Sequence, residues 1–442
     1  MEVKITPELT QALLVSGDRL VSVKSGDLAS EVGNMVVLFR NHPDLVGSIA
    51  FNLMSQKAVR MKPWTIFDRG GSSVVGDLED DDLTRVAMWL TRQFGMKLKP
   101  AEVTQGLVAA ARDASFDPLA DKLRELIWDG VPRVATWLKR YAKVDDLGAE
   151  AYVSAAGKCF LVGAVARAMD PGCKHDTVLV VEGSGGGGKS TMFRVLAEAI
   201  SPGLFTDSVQ DISNTADLIQ GAGGCWIVEL AELSGIRRAT DVEALKAAIT
   251  RTDDKFRRPY DRLEKEIPRR FVFVATTNQT EYLNDPSGAL LRRFWPVRTK
   301  ASESDQIDMT ALAAVAPQLW AEAVELYDAG SKWYISESDD EAYKQWLSGR
   351  DARREDGAFH DELIPLLMDW ATIYSGVPKG KSLKMIAERV GDLRTQDGDT
   401  KSRMALAATL RSLGMVSRKT RIGTNEWHFT DKALWDFFYR PH

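Results

Sequence analysis

The chain of 442 residues contains few cysteines and no long apolar run. Its three cysteines, Cys159, Cys173 and Cys225, lie far apart without C-x-x-C spacing or clustered histidines, so the sequence offers no zinc site. This cysteine usage predicts a reducing, cytoplasmic setting. No segment approaches the roughly 18 uninterrupted apolar residues of a membrane span, and the first residues lack the plan of a signal peptide. We therefore expect no membrane partner.

The chain also lacks an excess of positive charge, because its formal net charge is −5. A protein with this balance does not coat nucleic acid as a polycation, so any such binding must be local. Two segments are locally basic: residues 251–270 hold eight Lys and Arg against five Asp and Glu, and residues 401–442 hold eight against three. The length predicts two to four domains.

The most informative feature that the chain does contain is the glycine-rich motif GSGGGGKS at Gly183–Ser190. It matches the phosphate-cradling pattern G-x-x-x-x-G-K-[ST]. The apolar run Thr177–Val181 before it is typical of a buried strand, and Ser190–Ile200 after it has helical periodicity. A strand, a glycine loop and a helix together aim backbone N–H groups at phosphates. The candidate nucleotide-binding residues are Gly183, Gly185, Gly186, Gly187, Gly188, Lys189, Ser190 and Thr191.

The motif assigns specific roles to its last residues. On this pattern Lys189 reaches the β- and γ-phosphates of ATP, and Ser190 offers its hydroxyl to Mg²⁺. A second motif, CWIVELAE over Cys225–Glu232, is an apolar strand that ends in carboxylates, of the Walker B type. We assign Glu229 to the metal and Glu232 to the attacking water, and the two roles remain exchangeable.

A third strand-like run, Arg270–Asn278, ends in polar residues, and Asn278 is the candidate sensor of the γ-phosphate or the water. Paired arginines, Arg292 and Arg293, follow it. An arginine at the γ-phosphate neutralises the charge that develops in phosphoryl transfer, and a neighbouring subunit can supply it. We interpret the pair as one catalytic finger and one anchor; a surface pair held in salt bridges remains the alternative.

In this order the motifs resemble those of the virulence-associated protein E family, which has a superfamily 3-like helicase core. The resemblance covers roughly residues 115–330. Two departures from the pattern are the glycine-only centre of the P-loop and the split acidic pair. The segments that carry the resemblance are Pro171–Thr177 with the P-loop, Trp226–Leu233, Phe256–Tyr260, Pro268–Arg270, Thr276–Tyr282, Asp285–Gly288, Arg292–Pro296 and Gln318–Ala323.

The resemblance implies a homo-oligomeric ring, expected to be a hexamer, with ATP at the subunit boundaries and single-stranded DNA through the centre. It also implies that the arginine after the sensor acts across the boundary. Forked DNA is the expected substrate, and a primase or other replication proteins are expected partners. Such helicases carry a helix and a hairpin that reach into the channel, which correspond to Val242–Arg251 and to the segment from Lys255 onwards.

Cations beside Phe256 and Tyr260 in that hairpin suit single strands, because they neutralise phosphates where aromatic rings stack on bases. Pairing of the two adjacent arginines with acids at the subunit boundary remains the alternative. The candidate DNA-binding residues are Lys246, Lys255, Arg257, Arg258 and Arg262.

Outside this core the patterns are weaker. Met35–Phe39 predicts a strand and Asp82–Phe94 a helix. Near the C-terminus, a helix over Lys381–Val390, a stronger helix over Ser402–Leu413 and a following β-hairpin give a winged-helix plan, which serves either DNA or protein contacts. The first residues show no primase or nuclease motif, which leaves an oligomerisation collar or a remnant.

The fold class predicted for the whole chain is α/β, with a P-loop NTPase core of the AAA+-like, superfamily 3 helicase type. We predict an N-terminal α/β domain (1–115), a helical lead-in (116–174), the ATPase core (175–305), a helical lid (306–350) and a winged-helix-like domain (358–442).

The leading functional hypothesis is an ATP- and Mg²⁺-dependent DNA helicase that replicates a phage or mobile element. Two alternatives stay open at this point. One is an ATP-switched replication initiator or loader without unwinding activity. The other is a nucleotide-switched protein-interaction module.

Overall fold

A computed structural model describes residues 5–64, 75–209, 215–230, 239–256, 265–279 and 292–351, with single positions and short strands beyond them. The chain divides into two compact units. The first comprises Met1–Asp129, Ala197–Phe205 and Ala222–Trp226, and the second holds the remainder. Across the described residues, no helix is both long and apolar enough to cross a membrane.

The first unit combines helices with a small sheet. Its strand order is β3-β2-β1-β4; β1 pairs antiparallel with β2 and parallel with β4. The elements are α1 (Pro7–Ser16), α2 (Val32–Asn41), β1 (Ile49–Asn52), β2 (Lys57–Arg60), β3 (Gly76–Asp77), α3 (Asp80–Phe94), α4 (Pro100–Arg112), β4 (Ser115–Phe116) and α5 (Pro118–Glu125).

Two predictions fall in this unit. The predicted helix Asp82–Phe94 is confirmed, and it begins two residues earlier, at Asp80. The predicted strand Met35–Phe39 is wrong, because these residues lie inside α2. Met35, Leu38 and Phe39 are buried while the two valines between them are half-buried. That i, i+3, i+4 spacing is helical, and a run of five apolar residues alone does not separate it from a strand.

The rest of the described chain up to residue 351 is built around a five-stranded sheet with a separate hairpin. Its elements are α6 (Trp137–Tyr141), α7 (Glu150–Met169), β5 (Val178–Glu182), α8 (Lys189–Glu198), β6 (Phe205–Thr206), α9 (Thr215–Ala222), β7 (Ile227–Leu230), α10 (Ala239–Thr250), β8 (Asp253–Phe256), β9 (Lys265–Pro268), β10 (Val272–Thr277), β11 (Phe294–Arg298), α11 (Met309–Asp328) and α12 (Asp340–Asp351).

The strand order of the large sheet is β11-β5-β10-β7-β6. Strand β5 pairs parallel with β10 and β11, and β10 pairs parallel with β7. Every residue of β5 is buried, as a strand covered on both faces should be. The chain therefore has a mixed α/β fold with a parallel sheet, and the carboxyl ends of β5, β7 and β10 meet at one edge.

Helix α7 lies against the sheet and is buried along most of its length. Its Tyr152 hydroxyl donates to the Pro296 carbonyl of β11 over 3.0 Å. Helix α11 is held at the same core, where the indole N–H of Trp320 donates to the carbonyl of Leu196 at the end of α8, over 2.8 Å. The first contact ties α7 to β11, and the second anchors the C-terminal end of α8.

Only parts of the C-terminal segment are described. They include a three-stranded antiparallel sheet of order β12-β14-β13, which confirms the predicted hairpin. The predicted helix Lys381–Val390 is wrong at its start, because Lys381 and Ser382 pair with β14. Leu406 and Leu410 are helical and buried. The strands are β12 (Lys381–Ser382), β13 (Met415–Lys419) and β14 (Asn425–Phe429).

Candidate functional site

The glycine-rich loop joins β5 to α8, as predicted, and Lys189 is the first residue of that helix. The Lys189 ammonium folds back over the loop. It donates to the carbonyls of Gly183 and Ser184 over 2.8 and 2.6 Å, and to Asn278 Oδ1 over 2.8 Å. Desolvation lowers the pKa of this ammonium, and the nearby Glu229 carboxylate opposes that shift. The geometry thus holds a cation where the loop, α8 and the end of β10 converge.

Two glycines explain why the loop contains so few side chains. A Cβ on Gly187 would lie 2.9 Å from the backbone carbonyl atoms of Ala301, which cannot move aside easily. Gly188 has φ of +88°, in the left-handed region that other residues rarely adopt. The loop therefore packs beneath the segment that follows β11 and still keeps its backbone accessible.

Glu229 lies in β7 and is only 2% exposed. Its Oε1 accepts from the hydroxyls of Ser190 and Thr276, over 2.8 and 2.5 Å. Its Oε2 is buried and has no hydrogen-bond partner among the described residues. A buried carboxylate oxygen without a partner costs free energy unless something binds there. A serine hydroxyl beside a carboxylate is a donor set that suits Mg²⁺, so the residues fit the metal that the sequence predicts.

The sheet register explains how these residues meet. Glu229 lies opposite Val274 of β10, and Thr277 lies opposite Glu182, the last residue of β5. Thr276 and Asn278 therefore stand between the strand that ends in the loop and the strand that carries Glu229. Sequence reasoning selected Asn278 and missed Thr276, although both belong to the same polar strand end.

These groups open into one cavity of about 820 Å³. It collects the predicted loop residues Gly185–Thr191 together with Glu229 and Asn278, while Gly183 is absent from its wall. Among the described residues, no group of three or more His, Cys, Asp or Glu side chains could hold a metal. The walls of the cavity are formed by Gly185, Gly186, Gly187, Gly188, Lys189, Ser190, Thr191, Asp207, Glu229, Thr276, Thr277, Asn278, Gln279, Gln306 and Met309.

The two predicted arginines do not join this cluster within one chain. Arg293 immediately precedes β11, and its carbonyl accepts from the N–H of Val178 at the start of β5. The glycine loop follows the other end of β5, which at about 3.3 Å per residue is roughly 13 Å away along the strand. Arg293 is 6% exposed, whereas Arg292 is exposed.

The predicted hairpin is confirmed in its described part. Strands β8 and β9 pair antiparallel, with Lys255 opposite Glu266. Lys255 is 64% exposed, and its ammonium lies 3.8 Å from the Glu266 carboxylate. Lys246 lies half-buried on α10. Four other predicted residues lie outside the described part of the chain: Glu232, Arg257, Arg258 and Arg262.

A buried ion pair anchors the base of this hairpin. The Arg269 guanidinium donates to both carboxylate oxygens of Asp254, over 2.9 and 2.5 Å, and also to the carbonyl of Ala248. Arg269 lies three residues before the start of β10, the strand that ends beside Asn278. The base of the hairpin is thus tied to one strand of the candidate site.

A further buried cation lies near the start of β5. The Arg167 guanidinium, on α7, donates to the carbonyls of Arg269 and His175, each over 3.2 Å. Burial lowers the Arg167 pKa to about 10, and burial with the Arg167 charge lowers the His175 pKa to about 3. His175 is therefore a neutral core residue at neutral pH.

No curated protein matches the chain. Three solved apo structures of the C-terminal region of NrS-1 are similar at 13%, 12% and 13% identity, cover 86% of this chain and 95–96% of their own, and give TM-scores of 0.45, 0.43 and 0.43. Likeness at that level carries no argument.

The family model is more informative. The virulence-associated protein E-like domain matches residues 123–352, which include the glycine loop, Glu229, Asn278 and the hairpin. That match spans more than half of the 442 residues. The chain belongs to the virulence-associated protein E-like family.

Proposed function

We propose that this protein is an ATP- and Mg²⁺-dependent DNA helicase with a P-loop NTPase core, working as a ring in the replication of a phage or mobile element. The observation that carries the proposal is the convergence of Lys189, Ser190, Glu229 and Asn278 at one edge of a parallel sheet. Phosphate-binding loops of this kind act by positioning and by electrostatic stabilisation.

Each side chain takes a role that its geometry supports. Lys189 exchanges its two loop carbonyls for the β- and γ-phosphate oxygens. Asn278, 2.8 Å from that ammonium, is placed to contact the γ-phosphate or the attacking water. Ser190 and Glu229 would hold Mg²⁺, which when bound would neutralise charge on the phosphates. Glu229 Oε2, which is buried and has no partner in the ranges that the structure describes, is the oxygen available for that contact.

The strand order supports the P-loop NTPase assignment. Strand β10, which ends beside Asn278, lies between β5, which ends in the loop, and β7, which carries Glu229. A sensor residue must touch both the nucleotide and the metal side of the site. Only a strand between the two places it there.

The position of the arginines supports a ring. Arg292 is exposed at the amino edge of the sheet, away from its own chain's loop. It therefore completes a site only if that site belongs to a neighbouring subunit, as arginine fingers supplied in trans do. The burial of Arg293 suits the anchor, which leaves Arg292 as the finger.

The DNA contact is assigned to the hairpin. Lys255 projects from β8 near solvent, and the sequence places Arg257, Arg258 and Arg262 beyond it. Such cations bind the backbone of a single strand without reading its sequence. The C-terminal segment, with its antiparallel sheet and helical Leu406 and Leu410, suits a winged-helix-like module for duplex DNA or a protein partner.

Strand displacement on forked DNA tests the proposal. Lys189→Ala should abolish both ATP hydrolysis and unwinding, because the phosphates lose their cation. Lys255→Ala should keep basal hydrolysis and weaken unwinding. Lys300→Ala is the matched control, since that exposed lysine pairs with Asp145, over 3.3 Å, and should change neither.

Three outcomes separate the alternatives. ATP-dependent assembly on DNA without strand separation would replace the helicase by an initiator or loader. ATP hydrolysis that DNA does not stimulate would favour a nucleotide-switched interaction protein. A wild-type protein that neither binds nor hydrolyses ATP would overturn the nucleotide site itself.

A further inference from the structure

Part of the wall of the cavity at the glycine loop has no part in the proposed binding of phosphates or metal. Besides the loop, the Glu229 cluster and the neighbouring Asp207 and Gln279, it is lined by Gln306 and Met309. Both belong to the segment Ala301–Met309, which joins β11 to α11 and which we call the strap. The strap lies against the loop, because Ala301 backbone atoms approach Gly187 and the Met309 methyl group approaches Gly188.

The strap is a fixed structure. The N–H of Ile307 donates to the carbonyl of Gly187 over 3.2 Å, and the Ile307 side chain is buried. Asp308 caps α11 by accepting from the N–H of Ala311 over 2.9 Å. Residues 306 and 309 flank these two anchors, so their positions relative to the loop are set.

The other end of the strap is also anchored. The N–H of Ala301 donates to the Thr299 hydroxyl over 3.1 Å, and that hydroxyl donates to the carbonyl of Ala142 over 2.7 Å. The Lys143 ammonium pairs with the Asp305 carboxylate. A strap held at both ends and in the middle places residues 306 and 309 at the cavity before a ligand arrives, which reduces the ordering cost of binding.

The chemistry of the two side chains points to a nucleobase. The Gln306 amide carries a donor and an acceptor together, which matches the donor–acceptor edge of adenine and mismatches the paired acceptors on the corresponding edge of guanine. Met309 presents a polarisable thioether, which packs favourably on an aromatic ring.

We propose that Gln306 and Met309 form the base subsite of the nucleotide site, with Met309 against the ring and Gln306 selecting adenine. The inference rests on the proposed function, because it needs a triphosphate in the loop. The base subsite extends that function by naming the preferred nucleoside, adenosine, and the two residues that determine the preference.

Steady-state hydrolysis of ATP and GTP tests the subsite. Gln306→Ala should reduce the ratio of kcat/KM for ATP to that for GTP about tenfold, since a matched amide–adenine pair discriminates by this order. The change should appear in KM and leave kcat nearly unaltered. Met309→Ala should raise KM for both nucleotides about equally, and Met309→Leu should restore most of the loss.

Ser304→Ala is the matched control, because Ser304 lies on the same strap, is exposed and does not line the cavity. It should keep the wild-type ratio. If Gln306→Ala hydrolyses both nucleotides with the wild-type ratio, the base subsite is wrong while the nucleotide site stands. If the wild type hydrolyses neither nucleotide, the proposed function fails instead.

Discussion

The buried carboxylates near the two ends of the five-stranded sheet differ in their hydrogen-bond partners. Near the amino ends of the strands, the Asp254 carboxylate receives one N–H from Arg269 on each oxygen. At the carboxyl ends, Glu229 is also buried, yet within the described part of the chain its Oε1 has two partners while Oε2 has none. A saturated ion pair holds structure together, whereas a buried oxygen left without a partner marks the place of a ligand. On the proposed function, the amino edge therefore serves stability and the carboxyl edge serves chemistry.

The largest expected effect follows from replacing one carboxylate oxygen of Glu229, at the carboxyl edge, by an amide nitrogen. Glu229→Gln should lower kcat for ATP hydrolysis by on the order of 10²-fold or more, because an amide offers the metal and water no anionic oxygen. The matched control is Glu322→Gln, another buried acid, whose Oε2 accepts from the N–H groups of Arg133 and Val134. That variant should lose about 1–3 kcal/mol of unfolding free energy and keep its turnover. Equal turnover in both variants would remove the distinction between the two kinds of acid.

The second effect concerns the amino edge. Asp254→Ala should lower the free energy of unfolding by about 3–5 kcal/mol, because it leaves the Arg269 cation buried without its partner. Urea denaturation followed by circular dichroism measures this loss. Its neighbour supplies the control: the exposed Lys255–Glu266 pair is worth about 0–1 kcal/mol, so Lys255→Ala should unfold at nearly the wild-type urea concentration. A stable Asp254→Ala protein would show that the hairpin base needs no such anchor.

The smallest effect is a pH dependence at the amino edge. The His175 pKa is lowered from 6.5 to about 3, chiefly by burial. Between pH 6.5 and pH 3, His175 is protonated in the unfolded chain and neutral in the folded chain. The free energy of unfolding therefore decreases as pH falls from 6.5 towards 3. The contribution is up to about 1.4 kcal/mol per pH unit. Unfolding free energies at pH 7.5 and pH 5 should therefore differ less in His175→Gln than in the wild type. An equal difference in both proteins would contradict the assignment.

The elements predicted well are those that local chemistry specifies. The glycine loop with its flanking strand and helix, the polar end of β10 and the basic hairpin all follow from patterns within about twenty residues. The α2 error has a local cause too: Met35–Phe39 is too short a run to distinguish the two periodicities.

Relations between distant segments could not be predicted. The contact between Thr276 and Glu229 depends on β10 lying beside β7. The sequence of a single strand does not specify which strand lies next to it in the sheet. The same holds for Arg292, whose place at the amino edge follows from the pairing of β11 with β5. The sequence analysis placed Gln306 and Met309 at the start of the helical lid and gave them no part in the nucleotide site, because their nearness to the loop becomes visible only in the fold.

Release of inorganic phosphate from ATP, with and without Mg²⁺, tests the central claim most directly. The account predicts steady phosphate release by the purified wild-type protein that chelation of Mg²⁺ stops and that Glu229→Gln lacks. Release that continues undiminished in that variant, or no release under any condition from a folded protein, would contradict it.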